Sequence, residues 1–308
     1  GAASAQADVS VSGSGSAAYI APAGSSADSK LNVGQFVSFS MSTTTATGMT
    51  ISGGMGLSNT ITTNAGQAVT GGQTLSFATG GATIVVGDVE AGDTPGSVGG
   101  VAGGQIGDNG AFNSDVEDGF ADDDGMGLSL STALGGSSLK IVYVANDGKD
   151  TLGQINSATS GEDAVTSASI TVPMGMYTVT AGVADSDTGE SASGASVAAA
   201  LGGGTLTVGY STQTLVDGTS DATSSDLSAS GDTTVTGATY VMALDADTSV
   251  SVGLQNKKDA DNDSTSQFDA SVSRSLGGGA SVFLDIRSLT GDATVKGSAV
   301  AVGTSVSF

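Results

Sequence analysis

The chain has 308 residues, among them 49 Gly and only 3 Pro, and it contains no Cys, His or Trp. These absences exclude zinc-type sites, thiolate nucleophiles and disulfides, and they remove the commonest general base of enzyme catalysis. The formal net charge of −23, from 31 acidic and 8 basic residues, excludes nucleic acid as a partner, because binding it needs clustered Lys and Arg. The same charge attracts cations.

Apolar residues alternate with small or polar residues in short segments along the whole chain. Leu31, Val33 and Val37 alternate with polar or small neighbours, and Leu206 and Val208 do the same further on. One face of each segment is therefore apolar and the other polar, which is the pattern of a strand between two environments. The predicted strands are 8–20, 31–41, 49–58, 72–80, 82–88, 125–133, 138–146, 164–172, 175–184, 194–201, 204–213, 232–242, 247–256, 266–276, 279–288 and 295–308.

The connections between these strands alternate between short and long. The short ones include Gly80-Gly81, Gly135-Gly136-Ser137, Pro173-Met174-Gly175, Gly202-Gly203-Gly204 and Gly277-Gly278-Gly279. The long ones include 21–30, 59–71, 89–124, 147–163, 185–193, 214–231 and 257–265. This asymmetry is typical of up-and-down barrels in the outer membrane. Sixteen strands with small polar inner faces cannot fill a core, so we expect one all-β domain, residues 1–308, that forms a 16-stranded antiparallel transmembrane β-barrel around a water-filled lumen.

The first residues of the chain and its hydropathy bear on location. No stretch approaches the ~18 continuous apolar residues of a membrane-spanning helix, which excludes helical spans only. The N-terminal segment 1–8, rich in Ala, is similar to the neighbourhood of a signal-peptidase site. We therefore expect export by a signal peptide that is not part of this sequence.

Three segments resemble the general bacterial porin family of Gram-negative bacteria, in particular its short alphaproteobacterial type. They are the start of the first strand at 8–15, the segment 83–92 that leads into a long connection, and the end of the chain at 303–308, which closes on Phe308. The resemblance implies a homotrimer in the outer membrane, passive diffusion of small hydrophilic solutes, and a third loop that folds into the barrel and narrows the pore. Two features depart from the family pattern, because aromatic residues make up only 4% of the chain and basic residues are few.

The segment 89–124 is the candidate third loop, and it carries nine carboxylates, whereas no Lys or Arg occurs between Leu31 and Leu139. Its length is unusual for a connection without a function of its own. We interpret it as the pore constriction, with the alternative that it is a solvated acidic surface loop. The constriction residues favoured in this segment are Asp108, Asp115, Glu117 and Asp118.

Charged residues on the predicted inner face are candidates for the wall opposite this loop. Asp285 and Arg287 flank Ile286 on one strand, and Lys30 shares the parity of the polar face of the second strand. We expect these three residues to belong to the constriction. The alternative for Asp285 and Arg287 is a pair two residues apart that only solvates the lumen.

Two acidic runs have the oxygen ligands that calcium prefers. They comprise Asp122, Asp123 and Asp124 in one segment and Asp259, Asp261 and Asp263 in another. Neither run completes an EF-hand pattern, and solvated outer loops are the favoured interpretation. No cofactor is required, and calcium remains an additional expectation.

The sequence as a whole predicts a cation-preferring porin, because fixed negative charge in a narrow channel concentrates cations and repels anions. The main alternative is an extracellular structural protein of the surface-layer or adhesin type, which is also acidic, free of Cys and rich in Ser, Thr and Gly. A hydrolase that uses paired carboxylates is a more distant alternative, since no nucleophile or phosphate-binding motif is present.

Overall fold

A computed structural model describes residues 8–23, 29–61, 67–91, 124–145, 164–187, 189–215, 231–292 and 296–308. Every regular element in these ranges is a β-strand, and no helix among them is long and apolar enough to cross a membrane. The strands are β1 (Asp8–Ala23), β2 (Lys30–Thr44), β3 (Thr50–Ile61), β4 (Gln67–Thr79), β5 (Ala82–Glu90), β6 (Asp124–Leu134), β7 (Ser137–Val144), β8 (Val165–Met174), β9 (Tyr177–Ser186), β10 (Ser191–Leu201), β11 (Gly204–Leu215), β12 (Gly231–Ala243), β13 (Thr248–Lys258), β14 (Ser264–Gly277), β15 (Ala280–Gly291) and β16 (Gly297–Ser307).

The sixteen strands form one closed barrel in which each strand pairs antiparallel with its neighbours in the sequence. Closure joins the two ends of the chain, because β1 pairs with β16 from Ser14↔Ser307 to Ala23↔Ser298. Gly13 and Phe308 extend this pairing through two backbone hydrogen bonds of 2.8 and 2.9 Å. A closed barrel leaves no backbone group on an open edge, which is the condition for strands in a lipid environment. The predicted 16-stranded antiparallel barrel is confirmed.

The alternation of residue types places an apolar face outside and a more polar face inside. On β15, Val282 and Leu284 are exposed on the outer face, whereas Asp285 and Arg287 are buried on the inner face. Tyr19, Tyr143, Tyr177 and Tyr210 also lie exposed on the outer face, as expected of residues at membrane interfaces. The outer wall therefore presents the apolar surface that a bilayer requires.

The connections divide the barrel into two different ends. One end, which we call the turn rim, carries the connections 45–49, 80–81, 135–136, 175–176, 202–203, 244–247 and 278–279. The other end, the loop rim, carries 24–29, 62–66, 91–123, 145–164, 187–190, 216–230, 259–263 and 292–296. Gly202 and Gly203 show why the turns are glycine-rich, because both have positive φ (57° and 87°), as a two-residue type I′ hairpin needs.

Four of the predicted long connections are clearly shorter between the observed strands, and two of them are 21–30, which is reduced to 24–29, and 59–71, which is reduced to 62–66. The predicted loop 185–193 is reduced to 187–190, and the predicted loop 257–265 is reduced to 259–263. The strands on both sides extend toward the loop rim, because Ser, Asp and Lys residues there continue the backbone ladder. The polar composition of these strand ends is typical of loops in the sequence. The residues nevertheless belong to strands, which continue beyond the apolar part of the outer wall.

Glycine at one position of the closing strand is required by close packing. A Cβ atom at Gly303 would collide with the carbonyl oxygen of Ala17 and with the ring of Phe283. Phe283 lies on the inner face of β15 and covers Gly303 on β16, its directly paired neighbour. The aromatic ring thus fills the space that the missing side chain leaves at the seam between β1 and β16.

Candidate functional site: the barrel lumen

A buried ion pair lies on the inner wall where β14 and β15 run side by side. Asp269 and Arg287 are directly paired in the register. The guanidinium group contacts both carboxylate oxygens, with Nε to Oδ1 at 3.0 Å and Nη2 to Oδ2 at 3.1 Å. Gln267 donates a further hydrogen bond of 2.9 Å from Nε2 to Asp269 Oδ2. The side chains of Arg287 and Asp269 are only 3% and 0% exposed, so this is a two-point pair shielded from water.

Two further charged side chains lie on the same wall. Ser271 donates a hydrogen bond of 2.5 Å from Oγ to Asp285 Oδ1, and Asp285 is buried. Lys257 on β13 is fully buried on the inner face. The buried charged side chains of the described strands are therefore Lys257, Asp269, Asp285 and Arg287, two of each sign. This part of the lumen wall carries no net charge.

On the opposite side of the inner wall, the loop-rim ends of β5 and of β7 to β10 carry a buried apolar cluster. This cluster consists of Val89, Ala91, Val142, Val144, Val165, Ala184 and Ala192, with Val85 packed against it. Ser167 lies beside this cluster and donates a hydrogen bond from Oγ to the carbonyl oxygen of Ala91. The expectation of small polar inner faces throughout is wrong here. The physical reason is that these positions are buried, so apolar side chains are favoured on the inner face as well.

Hydroxyl groups line the inner wall toward the turn rim. Ser10 and Ser40 on neighbouring strands are 2.6 Å apart at their Oγ atoms, and Ser12 and Ser38 are equally close. Directly paired serines continue across the seam of the barrel, from Ser275 to Ser281, Ser305 and Ser16. This serine wall is polar but uncharged. It is a hydrophilic part of the inner wall.

The structure describes some of the predicted constriction residues and not others. Asp285 and Arg287 lie on the inner face, and Arg287 binds Asp269 on the neighbouring strand. Lys30 is the first residue of β2, where it pairs with Ile20. The predicted constriction residues of the third loop, Asp108, Asp115, Glu117 and Asp118, lie outside the described residues. Their role at a constriction stays a prediction.

The acidic runs proposed for calcium also lie only partly within the described residues. Asp122 and Asp123 lie outside the described residues, and Asp124 begins β6. In the connection 259–263, Asp259 uses its Oδ1 to accept a hydrogen bond from the backbone N–H of Asp263. Within the described part of the chain, no three acidic side chains are grouped to hold a metal ion. A turn-forming role accounts for Asp259, and calcium binding stays a prediction.

Two wall residues, Lys257 and Asp269, were not identified from the sequence. The signal for Asp269 was present in the turn after β14, because Asp269 and Arg287 are equally distant in sequence from Gly278. A tight hairpin centred there pairs residues at equal distances from the turn. The same symmetry about Asp261 places Lys257 opposite Thr265.

The closed barrel, its apolar outer wall and its partly charged, hydroxyl-lined inner wall define an outer-membrane β-barrel of the channel type. The fold is similar to that of OmpF from Salmonella typhi, solved in complex with daunomycin, with a TM-score of 0.72, 12% identity, and 97% of each chain covered. It is also similar to the anion-selective porin from Comamonas acidovorans, with a TM-score of 0.64, 13% identity, and 98% of this chain and 100% of that chain covered. A triple mutant of the Rhodopseudomonas blastica porin matches with a TM-score of 0.66 and 14% identity over 98% of this chain and 100% of that chain.

The sequence supports the same class independently of the fold. A family model described as Gram-negative porin matches residues 1–294. No curated protein matches the sequence. The chain therefore belongs to the Gram-negative porin family, which confirms the resemblance inferred from its strands and from its ends.

Proposed function

We propose that this chain forms a water-filled channel through which small hydrophilic solutes and ions diffuse passively across the outer membrane. The observation that carries the proposal is the serine wall, which gives the lumen a hydrated and uncharged lining within a closed barrel. Purified protein added to a planar bilayer should produce discrete conductance steps. Absence of steps from folded protein would contradict the channel.

The third loop is proposed to narrow this channel. The connection 91–123 leaves β5 directly beside the apolar inner cluster, to which Val89 and Ala91 themselves belong. Apolar residues on the inner face of a channel need a cover that excludes water, and the segment that starts there is long enough to provide one. We propose that this segment folds inward and brings Asp115, Glu117 and Asp118 to the pore. Shortening the segment should increase the single-channel conductance, whereas an unchanged conductance would place it outside the pore.

The channel is proposed to prefer cations. The buried charges of the strand wall balance, so the excess of 31 acidic over 8 basic residues is not neutralised there. The fold alone does not decide selectivity, since the Comamonas acidovorans porin of similar fold is anion-selective. We expect cation preference because fixed carboxylates within about one Debye length of the pore, ~8–10 Å at physiological ionic strength, raise the local cation concentration.

The reversal potential in a salt gradient measures this preference. The triple variant Asp115→Asn, Glu117→Gln and Asp118→Asn should shift it toward the value of a non-selective pore. The matched control is Asp261→Asn with Asp263→Asn, which removes carboxylates from the exposed turn 259–263 and should shift it less. A chelator in all solutions keeps bound calcium from masking the charges. Anion preference of the unmodified channel at low salt would show that these carboxylates do not control it.

We also propose that three copies of the chain assemble as a homotrimer, as the family resemblance implies. The outer face of β1 carries Gly15 and Ala17, whose small side chains allow another wall to approach closely. Mass measurement in detergent should give three chains. Monomers at all concentrations would contradict it.

Extraction experiments distinguish an outer-membrane channel from the alternative, a surface-layer protein. An outer-membrane barrel needs detergent and changes its gel mobility on heating, whereas a surface-layer protein is released by a chelator or a denaturant.

A further inference from the structure

The charged residues of this barrel are distributed very unevenly between its two ends. At the turn rim and on the adjoining strand ends lie three acidic and two basic residues, a net charge of −1: Asp8, Asp245, Asp247, Lys140 and Arg274. The rest of the described residues, thirteen acidic and five basic, carry a net charge of −8 on the remaining strand positions and at the loop rim. The direction of each strand fixes this partition, because each loop-rim connection starts and ends at that rim.

The acidic excess of these described residues is concentrated at individual loop-rim connections. Acidic residues in the loop-rim half include Asp185, Asp187 and Glu190 around one connection and Asp259, Asp261 and Asp263 around another. The charged wall residues Lys257, Asp269, Asp285 and Arg287 balance one another and leave this excess intact. Toward the turn rim the lining from β13 to β16 and onto β1 and β2 is the serine wall. The two charged residues that share the inner-face parity near this rim, Asp8 on β1 and Lys140 on β7, have opposite signs.

We propose that this polarity makes the channel rectify, so that its conductance depends on the direction of the applied voltage. The inference rests on the proposed channel function and goes beyond cation preference, because a uniformly acidic pore would prefer cations without rectifying. In the acidic half, cations carry most of the current. In the serine-lined half, cations and anions carry comparable shares.

The sign of the effect follows from the flow of ions at the junction of the two halves. When the loop-rim side is positive, cations arrive from the acidic half faster than cations leave through the neutral half. Anions arrive from the neutral half and are repelled by the carboxylates, so salt accumulates at the junction and the conductance rises. With the opposite polarity, both ions are drawn away from the junction, and the conductance falls.

Salt concentration sets the size of the effect. We expect the conductance ratio at about ±100 mV to exceed ~1.5 in ~0.1 M salt, where the Debye length is about 10 Å. The ratio should approach one in ~1 M salt, where that length is about 3 Å and the carboxylates no longer act across the pore.

Single-channel recordings with defined orientation test the sign. The chain has no Cys, so Ala246→Cys in the turn-rim connection 244–247 and Ala260→Cys in the loop-rim connection 259–263 each give one labelling position. A membrane-impermeant thiol reagent added to one side then reports which rim faces that side. Higher conductance with the loop rim positive supports the proposal. A symmetric current, or higher conductance with the loop rim negative, overturns it.

A matched pair of variants tests the cause. Ser12, Ser40 and Ser249 lie exposed on the inner face near the turn rim, and all three are changed to Asp in one variant and to Asn in the other. Both variants add similar volume, but only the Asp variant adds charge at the neutral end. The ratio should fall toward one in the Asp variant and persist in the Asn variant. Equal ratios in the two variants overturn the proposal.

The outcomes also separate this proposal from the channel function. Conductance without rectification overturns the rectification alone, and folded protein without any conductance overturns both. Heat-dependent gel mobility shows whether each variant is folded. If the Asp variant does not fold, the polarity and salt dependence of the unmodified channel still decide.

Discussion

The Asp269–Arg287 ion pair offers a direct test of whether this part of the inner wall is as shielded from water as its geometry indicates. Arg287→Met removes the guanidinium group and retains a long apolar side chain. Asp269 is then left buried, with its carboxylate holding the 2.9 Å hydrogen bond from Gln267. The companion variant Asp269→Leu with Arg287→Met removes both charges and retains similar volume.

The burial of the pair sets the expected magnitude. Both side chains are at most 3% exposed, and both guanidinium contacts are near 3 Å. Removing one partner of such a pair costs about 3–5 kcal/mol, because the remaining charge has lost its compensation. Replacing both partners by apolar residues is close to neutral, because the desolvation penalty of the two ions disappears together with their attraction. The single variant should therefore be much less stable than the double variant.

Unfolding by a denaturant in detergent micelles, followed by circular dichroism and gel mobility, measures the two free energies of unfolding. Arg274→Met is the control, because Arg274 contacts Asp245 at 3.4 Å with both side chains 53% exposed. That change should have little effect on stability, since water screens exposed pairs. Equal losses in the single and the double variant would refute the reasoning, because they would show that water solvates Asp269 once its partner is gone.

Two further predictions concern the seam of the barrel and a turn. Gly303→Val should prevent closure of β16 on β1, because a Cβ atom at this position meets Phe283 and the backbone. Gly15→Ala is the control, because a Cβ atom there makes only ordinary contacts. We expect the first variant alone to lose the heat-modifiable gel band. The pKa of Asp245 is lowered first by the hydrogen bond from the backbone N–H of Asp247 and then by the hydroxyl of Thr248. A lowered folded-state pKa means that this stabilisation is present above the ordinary value of 3.8 and is lost as the pH falls through the lower value. Stability curves of the unmodified chain and of Asp245→Asn should therefore converge only in that acidic range, and a difference that persists below it would contradict the assignment.

Much of the fold follows from the sequence because each strand carries its own signal. Alternation of apolar and polar residues is local, and all sixteen predicted segments overlap observed strands. Glycine pairs such as Gly80-Gly81 mark the turn rim in the same local way, through positive φ. The ends of strands at the loop rim are harder to predict, because polar residues there can still pair as strands. The polar residues of β9 and β10 near 185–193, for example, extend the backbone ladder beyond the apolar part of the outer wall.

The candidate site depends on relations between strands, and these are less visible in the sequence. Arg287 was identified, but its partner Asp269 depends on the register across the turn at Gly278. Lys257 was missed because an Asn, a second Lys and several Asp residues around it resemble a solvated loop. The apolar inner cluster was missed because period-two alternation does not reveal which inner positions are shielded from water. Val142 and Val144 sit on the inner face and are nevertheless fully buried.

These observations divide the physical tasks of the chain between its wall and its connections. The buried charges on the strands balance in number, and Asp269 and Arg287 compensate each other directly, so this pair can be buried without leaving an unpaired ion in the wall. Charges that are to act on passing ions must instead stay uncompensated and hydrated, and the connections at the loop rim allow this because they are not constrained by the ladder. The net charge of −23 can therefore coexist with a balanced set of buried charges in the strand wall. The ion pair and the carboxylates of the proposed selectivity are different residues, so substitutions in the ion pair should change the free energy of unfolding and substitutions in the acidic connections should change the reversal potential.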